Sequence, residues 1–417
     1  GIGVGLGPTL ILLSVGMLIG TWILSGTVPA MIYYGVQVLH PSVFYSASAA
    51  ICAIVAVSIG SSWTVAGTLG IGLMGIAGSF GLSPAITAGA IISGAYFGDK
   101  LSPMSDTTNL AAAATGVDLF EHIRHMLWTT VPAFLLALVL FAFAGSGKGA
   151  TPQEIANLQQ ALSGEFSIGP HLLLPLLLML VLVYRRFPAY PAIVVSALTG
   201  AVFALLFQPQ QVARLAGDSG DLAPAWLQFK GIWIALFDGY SADSGNAFLD
   251  ELLSKGGMSS MLNTVWLIIC ALGFGGVLER TGILSYLLGL ALHSVKSVGS
   301  LIATTVATCI GTNILAADQF IAVALPGRMY RDEYGRRKLS RLNLSRTLED
   351  SATLTSALIP WNTCGAYMSA TLGVATFTYA PYAFFNLACP VIAIIYGYTH
   401  FALKPAVYDI AADGEPA

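Results

Sequence analysis

The chain has 417 residues, of which 56% are hydrophobic and 9% charged, with a mean hydropathy of +0.76 and a net charge of −3. A soluble domain carries about 25% charged residues, so this chain lacks the polar side chains to cover a water-facing surface. It reads as an integral membrane protein, and its weakly negative charge argues against a nucleic-acid partner.

In chain order, the sequence opens at Gly1-Ile2-Gly3 with neither Met nor a basic n-region, which predicts a missing start, with room for a further helix, rather than a signal peptide. Gly60-Ser61-Ser62 interrupts the apolar sequence that follows. Residues 98–109, Gly98-Asp99-Lys100-Leu101-Ser102-Pro103-Met104-Ser105-Asp106-Thr107-Thr108-Asn109, are too polar for a plain spanning helix. Pro103 lacks a backbone donor and breaks helical geometry there. Residues 110–114 read as helix again, so Asp106-Thr107-Thr108-Asn109 resembles the start of a half-helix. Apolar runs over 127–144, 172–184 and 192–207 approach the roughly 20 residues that span hydrocarbon. The segment 231–255 carries Asp238, Asp243, Asp250 and Glu251 and is expected to be peripheral or re-entrant. Runs over 261–277 and 283–292 lead to a second polar set: Gly311-Thr312-Asn313, Asp318, Glu349-Asp350-Ser351, Thr353, Thr355 and Ser356, then a break at Pro360 and Trp361-Asn362-Thr363. A last run covers 382–398. The alternation of barrel strands is absent, so helices must satisfy the backbone.

The two polar sets share spacings. Gly60 precedes Asp99 by the same interval as Gly311 precedes Asp350 (99 − 60 = 350 − 311). Pro103 likewise stands as far before Gly116-Val117 as Pro360 stands before Gly373-Val374 (116 − 103 = 373 − 360). Lys and Arg set orientation: Arg328, Arg331, Arg336, Arg337, Lys338, Arg341 and Arg346 fall in one expected cytoplasmic loop. Arg124, Arg185-Arg186, Arg280 and Lys404 are expected on the same side, which puts the C-terminus in the cytoplasm. The uncharged turn 79–83 aligns with the basic loop, while the charged stretch 118–125 aligns with the uncharged 375–380. Opposite charge at equivalent loops predicts two inverted halves with a binding site near the midplane, as in secondary transporters.

Freed carbonyls, hydroxyls, amides and carboxylates are hard oxygen donors that suit a small cation such as Na+. The N–H groups of a half-helix start favour anions instead, so the segment around Asp106 admits either ion type. Candidate ion-binding residues are Asp99, Ser102, Ser105, Asp106, Thr107, Thr108 and Asn109 in the first set. The second set supplies Asn313, Asp318, Asp350, Ser351, Thr355, Asn362 and Thr363. A carboxylate at membrane depth is costly and by default functional, which singles out Asp318 and Asp350. Competing structural readings are Asp106 as a helix cap, Ser102 and Ser105 as local backbone partners, and Asp99 neutralised by the adjacent Lys100. For Glu349 the expected role is a solvated charge at the edge of the basic loop. Cys52, Cys270, Cys309, Cys364 and Cys389 lie in apolar runs without CxxC spacing and read as small buried hydrophobes. The histidines read as mostly interfacial, with His40 and His293 as helix caps. GxSxG, HExxH and GxxxxGK[ST] motifs are missing, so neither an enzyme nor an ATP-driven pump is expected, and no cofactor.

Gly94-Ala95-Tyr96-Phe97-Gly98-Asp99-Lys100-Leu101-Ser102-Pro103-Met104-Ser105-Asp106-Thr107-Thr108-Asn109-Leu110-Ala111 resembles the signature of the NhaC-type Na+/H+ antiporter family, within the ion transporter superfamily. So does 348–374, with Glu349-Asp350-Ser351-Ala352-Thr353 and Leu358-Ile359-Pro360-Trp361-Asn362-Thr363. The resemblance covers nearly the whole chain. It implies an all-α polytopic membrane protein of the bacterial inner membrane, with two inverted-topology repeats, re-entrant hairpins and broken helices. The expected parts are a first repeat over 1–126 with its motif at 94–117, linking helices over 127–230, and a peripheral or re-entrant segment over 231–256. The second repeat follows over 257–403 with its motif at 311–374, and 404–417 is a polar tail. Na+ and H+ are then expected to compete for Asp99, Asp106, Asp318 and Asp350, with Thr107, Asn109, Asn313 and Asn362 completing the oxygen shell. Expected partners are the lipid bilayer and the two ions, with a homodimer as the assembly. Similar proteins exchange malate and lactate, which makes organic-acid exchange the alternative, although Lys100 is the only basic residue in either motif. A passive channel is a third reading, needing a pore of equivalent groups from several subunits.

Overall fold

The structure is a computed structural model that describes residues 2–145, 151–217, 223–292 and 295–406. Among them, six helices are long and apolar enough to cross a membrane, or up to eight if two sharply bent pairs each count as one span. The described residues form helices throughout, with two isolated extended pairings, Tyr240 with Lys255 and Leu339 with Pro405. The chain is an all-α multi-pass membrane protein.

The elements that position the site are α1 (Leu6–Leu24), α2 (Phe44–Ile59), α3 (62–79), α4 (Pro84–Leu101), α5 (Asp106–Thr115) and α6 (Leu119–Ala144). Later in the chain come α7 (Val298–Ala316), α8 (Gln319–Arg336), α9 (341–356), α10 (Thr363–Leu372) and α11 (Phe384–Thr399). Helices Ala189–Phe207 and Met258–Arg280 flank α1, and Trp22 donates its indole N–H to the Ser196 carbonyl at 3.3 Å. Leu135, Leu136 and Val139 of α6 point outward, as lipid-facing positions should. Inside the bundle, α2 and α4 approach so closely that a Cβ on Gly98 would lie 2.4 Å from the Ala53 carbonyl oxygen. Such small-residue contacts carry helix association where lipid removes the hydrophobic drive.

The breaks have local causes. α2 stops where Gly60 turns left-handed (φ 74°), and Ser61 extends and accepts the Thr64 N–H at 3.3 Å to start α3. α4 stops before Pro103, and Ser105 accepts the Thr108 N–H at 3.4 Å to start α5. The same sequence of events recurs in the second half at one constant offset (317 − 60 = 318 − 61 = 362 − 105). Ala317 is left-handed (φ 58°), and Asp318 extends and accepts the Ile321 N–H at 3.0 Å. Asn362 caps α10 as Ser105 caps α5, Ser340 caps α9 as Ser83 caps α4, and Gly373 ends α10 left-handed as Gly116 ends α5.

Pro103 with Pro360 and Gly116 with Gly373 already share this offset (360 − 103 = 373 − 116); it corrects the other sequence anchor, which paired Gly60 with Gly311 and Asp99 with Asp350. By its place relative to the breaks, Gly60 matches Ala317, Ser61 matches Asp318, and Asp99 matches Ser356. Gly311 lies inside α7 and simply continues it, because glycine permits a break without imposing one.

Two further expectations change. Arg328, Arg331 and Arg336 lie on α8 rather than in a loop, and Arg346 is buried, donating to the Ala402 carbonyl at 2.8 Å. Residues Ile283–Leu292, expected to cross, form a ten-residue helix, about 15 Å long against a core of about 30 Å. Within 231–256, the end of Pro224–Phe237 and all of Ala247–Leu253 are helical, and neither helix is long enough to span. The start of the expected tail is held in place: Ser340 N–H donates to the Lys404 carbonyl at 3.0 Å. Residues 407–417 and His293 lie outside the described residues.

Candidate functional site

The break between α2 and α3 faces the break between α4 and α5. Asp99, in the last turn of α4, turns its carboxylate onto the start of α3. Its Oδ2 accepts the Ser62 N–H at 3.0 Å and the Ser62 hydroxyl at 2.7 Å. A helix start presents free N–H groups, so it is a natural seat for a carboxylate. Asp99 is only 8% exposed and lines a chamber of about 260 Å3 together with Gly60, Ser61, Ser62, Trp63 and Thr64. Ser105, Asp106 and Thr107 of the second break line it as well, as do Gln319 and Phe320, the first residues of α8. The chamber shares Gly60, Ser61, Thr64, Asp106 and Ala189 with a wider cavity of about 590 Å3 that reaches Phe120 and Arg186. Asp106 is exposed within this opening. Its neighbour Ser105 supplies the cap, so the reading of Asp106 as the capping residue is corrected.

Other residues of the first motif hold the hinge rather than line the chamber. Thr108 donates its hydroxyl to the Lys100 carbonyl at 3.0 Å, satisfying an acceptor freed by the break. The Asn109 amide donates to the carbonyls of Pro103 at 2.9 Å and Ser105 at 2.8 Å. Ser102 is buried and its hydroxyl oxygen accepts the Met104 N–H at 3.3 Å.

Lys100 follows Asp99 but leaves the helix in another direction, since successive side chains are about 100° apart. Their mutual neutralisation is overturned. The ammonium of Lys100 is fully buried and pairs with Asp350 Oδ1, also fully buried. The same oxygen accepts the Thr129 hydroxyl of α6 at 2.9 Å and the Cys389 thiol of α11 at 3.2 Å. Asp350 therefore sits in a closed ion-pair nest and does not line the Asp99 chamber. Ser351 lies beside it in α9, with its hydroxyl donated to the Thr347 carbonyl at 2.5 Å.

Around the second crossing, Asn313 donates to the Ala352 carbonyl at 2.7 Å and to the Thr355 hydroxyl at 3.1 Å. Asn362 donates to Asn313 Oδ1 at 3.0 Å and accepts the Cys364 N–H at 3.0 Å. Thr363 N–H reaches the Ala317 carbonyl at 3.0 Å, which ties the two breaks together. Asp318 is 1% exposed and spends a carboxylate oxygen on capping α8. The four carboxylates expected to hold the ions thus have different partners: Asp99 and Asp106 line the chamber, Asp350 pairs with Lys100, and Asp318 caps α8. No cluster of three or more metal-ligating acids, cysteines or histidines occurs among the described residues.

Residues the sequence reading placed elsewhere also enter the interior. Glu349, expected at a solvated edge, is fully buried within Coulomb reach of Lys100, Asp99 and Asp350. His122 and His125 of α6, expected at the interface, are buried, and His125 Nε2 lies 3.2 Å from Asn343 Oδ1. His40 does cap a short helix, its ring accepting the Ser42 N–H at 3.4 Å. All five cysteines are free and four are buried, while Cys270 is exposed. Ser62, Gln319 and Phe320 were missed as lining residues. Only Ser62 carried a signal, as part of the Gly60-Ser61-Ser62 interruption.

The known proteins similar to this chain are antiporters whose names give different cargo. The profile of the Na+/H+ antiporter family matches residues 94–401. The Na(+)/H(+) antiporter NhaC of Alkalihalophilus pseudofirmus is 40% identical over 400 residues, covering 95% of this chain and 83% of that protein. The malate-2H(+)/Na(+)-lactate antiporter of Bacillus subtilis is 38% identical over 402 residues, covering 96% and 82%. The arginine/ornithine antiporter ArcD of Halobacterium salinarum is 36% identical over 403 residues, covering 95% and 79%.

Proposed function

The chain belongs to the Na+/H+ antiporter family, and from this we infer that it is a secondary transporter exchanging Na+ for H+ across the membrane, with Asp99 as the carboxylate at which the two ions compete. The observation that carries the site assignment is the seat of Asp99 at the start of α3, in a polar chamber that opens past Asp106 toward Phe120 and Arg186. A carboxylate away from bulk water needs its charge balanced. A Na+ ion or a proton can do so, and one displaces the other. The hydroxyls of Ser62, Ser105 and Thr107 and the carboxylate of Asp106 supply hard oxygens around the same space. No covalent step is needed, and the chemistry calls for no cofactor.

The recurrence of breaks and caps at one constant offset supports two repeats, and the charge swap at their loops supports inverted topology. Both sets of breaks contribute to the chamber, through Asp99 and Asp106 on one side and Gln319 on the other. The backbone link between Ser340 and Lys404 puts residue 404 on the face of the Arg336–Arg341 cluster. That face is cytoplasmic by the positive-inside rule, in a bacterial inner membrane.

Exchange of malate for lactate is less well supported, because Lys100, the one basic residue in the signatures 94–111 and 348–374, is already paired with Asp350 and no Lys or Arg among the described residues lines the Asp99 chamber. Counterflow in proteoliposomes with Na+, lactate and malate offered separately tests the assignment. Proton flux coupled to Na+ alone is the expected result; uptake of either organic acid without Na+/H+ exchange would replace it.

A further inference from the structure

Two cavities approach each other inside the bundle without sharing a lining residue. One is the chamber at Asp99, of about 260 Å3. The other, about 530 Å3, has an apolar wall of Ile19, Ile23, Ile71 and Met74 and a polar rim that includes Asp238, Tyr240 and Lys255. A rim of charged and hydroxyl groups marks the end that meets water.

Two elements run from one cavity to the other. Along α1, Gly7, Pro8 and Ile11 line the chamber, and Ile19 and Ile23 line the second cavity. From Ile11 to Ile19 the axis rises by about 12 Å, at roughly 1.5 Å per residue. Along α3, Trp63 and Thr64 face the chamber, and Ile71, Met74 and Gly75 face the second cavity. On α10, Tyr367 stands one turn before Ala370, Thr371 and Leu372, which line the second cavity.

The material between is specific. Trp63 and Tyr367 stack face to face, with centroids 4.1 Å apart and an interplanar angle of 10°. The Tyr367 hydroxyl donates to the Trp63 carbonyl at 2.8 Å, which fixes the ring against α3. Gly67, inside a π turn of α3, completes the closure: a Cβ there would lie 2.7 Å from the Tyr367 hydroxyl and 3.3 Å from Val15 Cγ2. Val15 and Tyr367 are both fully buried. A plug of two rings and a valine offers an ion nothing to replace its water, so it blocks passage while remaining only about two helical turns thick.

We propose that the second cavity is the route to the ion site from the opposite face, and that the Trp63–Tyr367 stack, closed by Val15 against Gly67, is the shut gate between the two routes. The inference rests on the transport reading above, and it assigns to Tyr367 a positioning role: it keeps the routes from being open together. Loss of the ring should turn an exchanger into a leak.

The test uses the full chain in proteoliposomes. Tyr367→Ala should release Na+ down its gradient without a counter-ion, at a rate several-fold above wild type. Tyr367→Phe keeps the stack and should stay coupled. Independently of transport, Ala189→Cys and Ala370→Cys, each in a Cys270→Ser background, should react with a membrane-impermeant thiol reagent from opposite faces. With Tyr367→Ala added, each should become reactive from both. Folded Tyr367→Ala that stays fully coupled, or two cysteines reactive from the same face, would overturn the gate. Absence of Na+/H+ exchange in wild type would instead remove the transport reading, and the thiol sidedness would still decide the gate.

Discussion

Lys100 and Asp350 offer the sharpest energetic test, because both are fully buried and each is the other's only opposite charge in direct contact among the described residues. Removing the ammonium leaves the Asp350 carboxylate with two neutral donors, the Thr129 hydroxyl and the Cys389 thiol. Deleting one partner of a buried pair costs about 3–5 kcal/mol, whereas replacing both by apolar groups of similar volume is often neutral or stabilising by about 1–4 kcal/mol. Lys100→Met and Asp350→Leu should each lower stability by about 3–5 kcal/mol, and the double variant should recover most of that loss. The assay is the unfolding midpoint of purified protein in detergent, measured as a double-mutant cycle. A Lys100→Met protein as stable as wild type, or a double variant with the two single losses simply added, would refute the account of this pair.

Further outcomes follow from single contacts. Ser62→Ala removes the hydroxyl donated to Asp99 at 2.7 Å but leaves the backbone N–H. Hydrogen bonds to charged groups are worth about 1.5–3 kcal/mol, so the KM for Na+ should rise roughly tenfold or more, with kcat less affected; an unchanged KM in exchange assays would remove Ser62 from the site. Thr129→Val should cost about 1–3 kcal/mol of stability by taking a donor from buried Asp350, and thermal unfolding would expose a neutral substitution. Ala317→Gly relieves a left-handed alanine (φ 58°), which should raise stability by about 1 kcal/mol; a lower unfolding temperature would show that the alanine is not strained there.

Much of the fold was legible because its signals are chemical. Pro103 and Pro360 cannot continue a helix, and both fall at breaks. Ser83 and Ser105 cap the helices they precede. The register between the halves was legible at Pro103 with Pro360 and Gly116 with Gly373 but not at the other break, which depends on Ala317 taking a left-handed conformation, for which an alanine gives no warning. Asp99 and Asp350 looked like counterparts in spacing, yet one faces a chamber and the other an ammonium. Which way adjacent Asp99 and Lys100 point is decided by the neighbours of α4, and the sequence of α4 alone does not contain them. The burial of Glu349, His122 and Arg346 was missed for a related reason. Polar residues next to a basic cluster look solvated until the helices that cover them are in place. Trp63 and Tyr367 are 304 residues apart, and only the packing of α3 against α10 makes them a pair.

The assignment of Asp99 is tested most directly by Na+-driven proton flux in proteoliposomes carrying Asp99→Asn, a change that keeps the side-chain shape and removes its charge. The expected result is loss of exchange in a protein that remains folded by detergent unfolding. Wild-type flux from that variant would show that Na+ and H+ are exchanged at some other group.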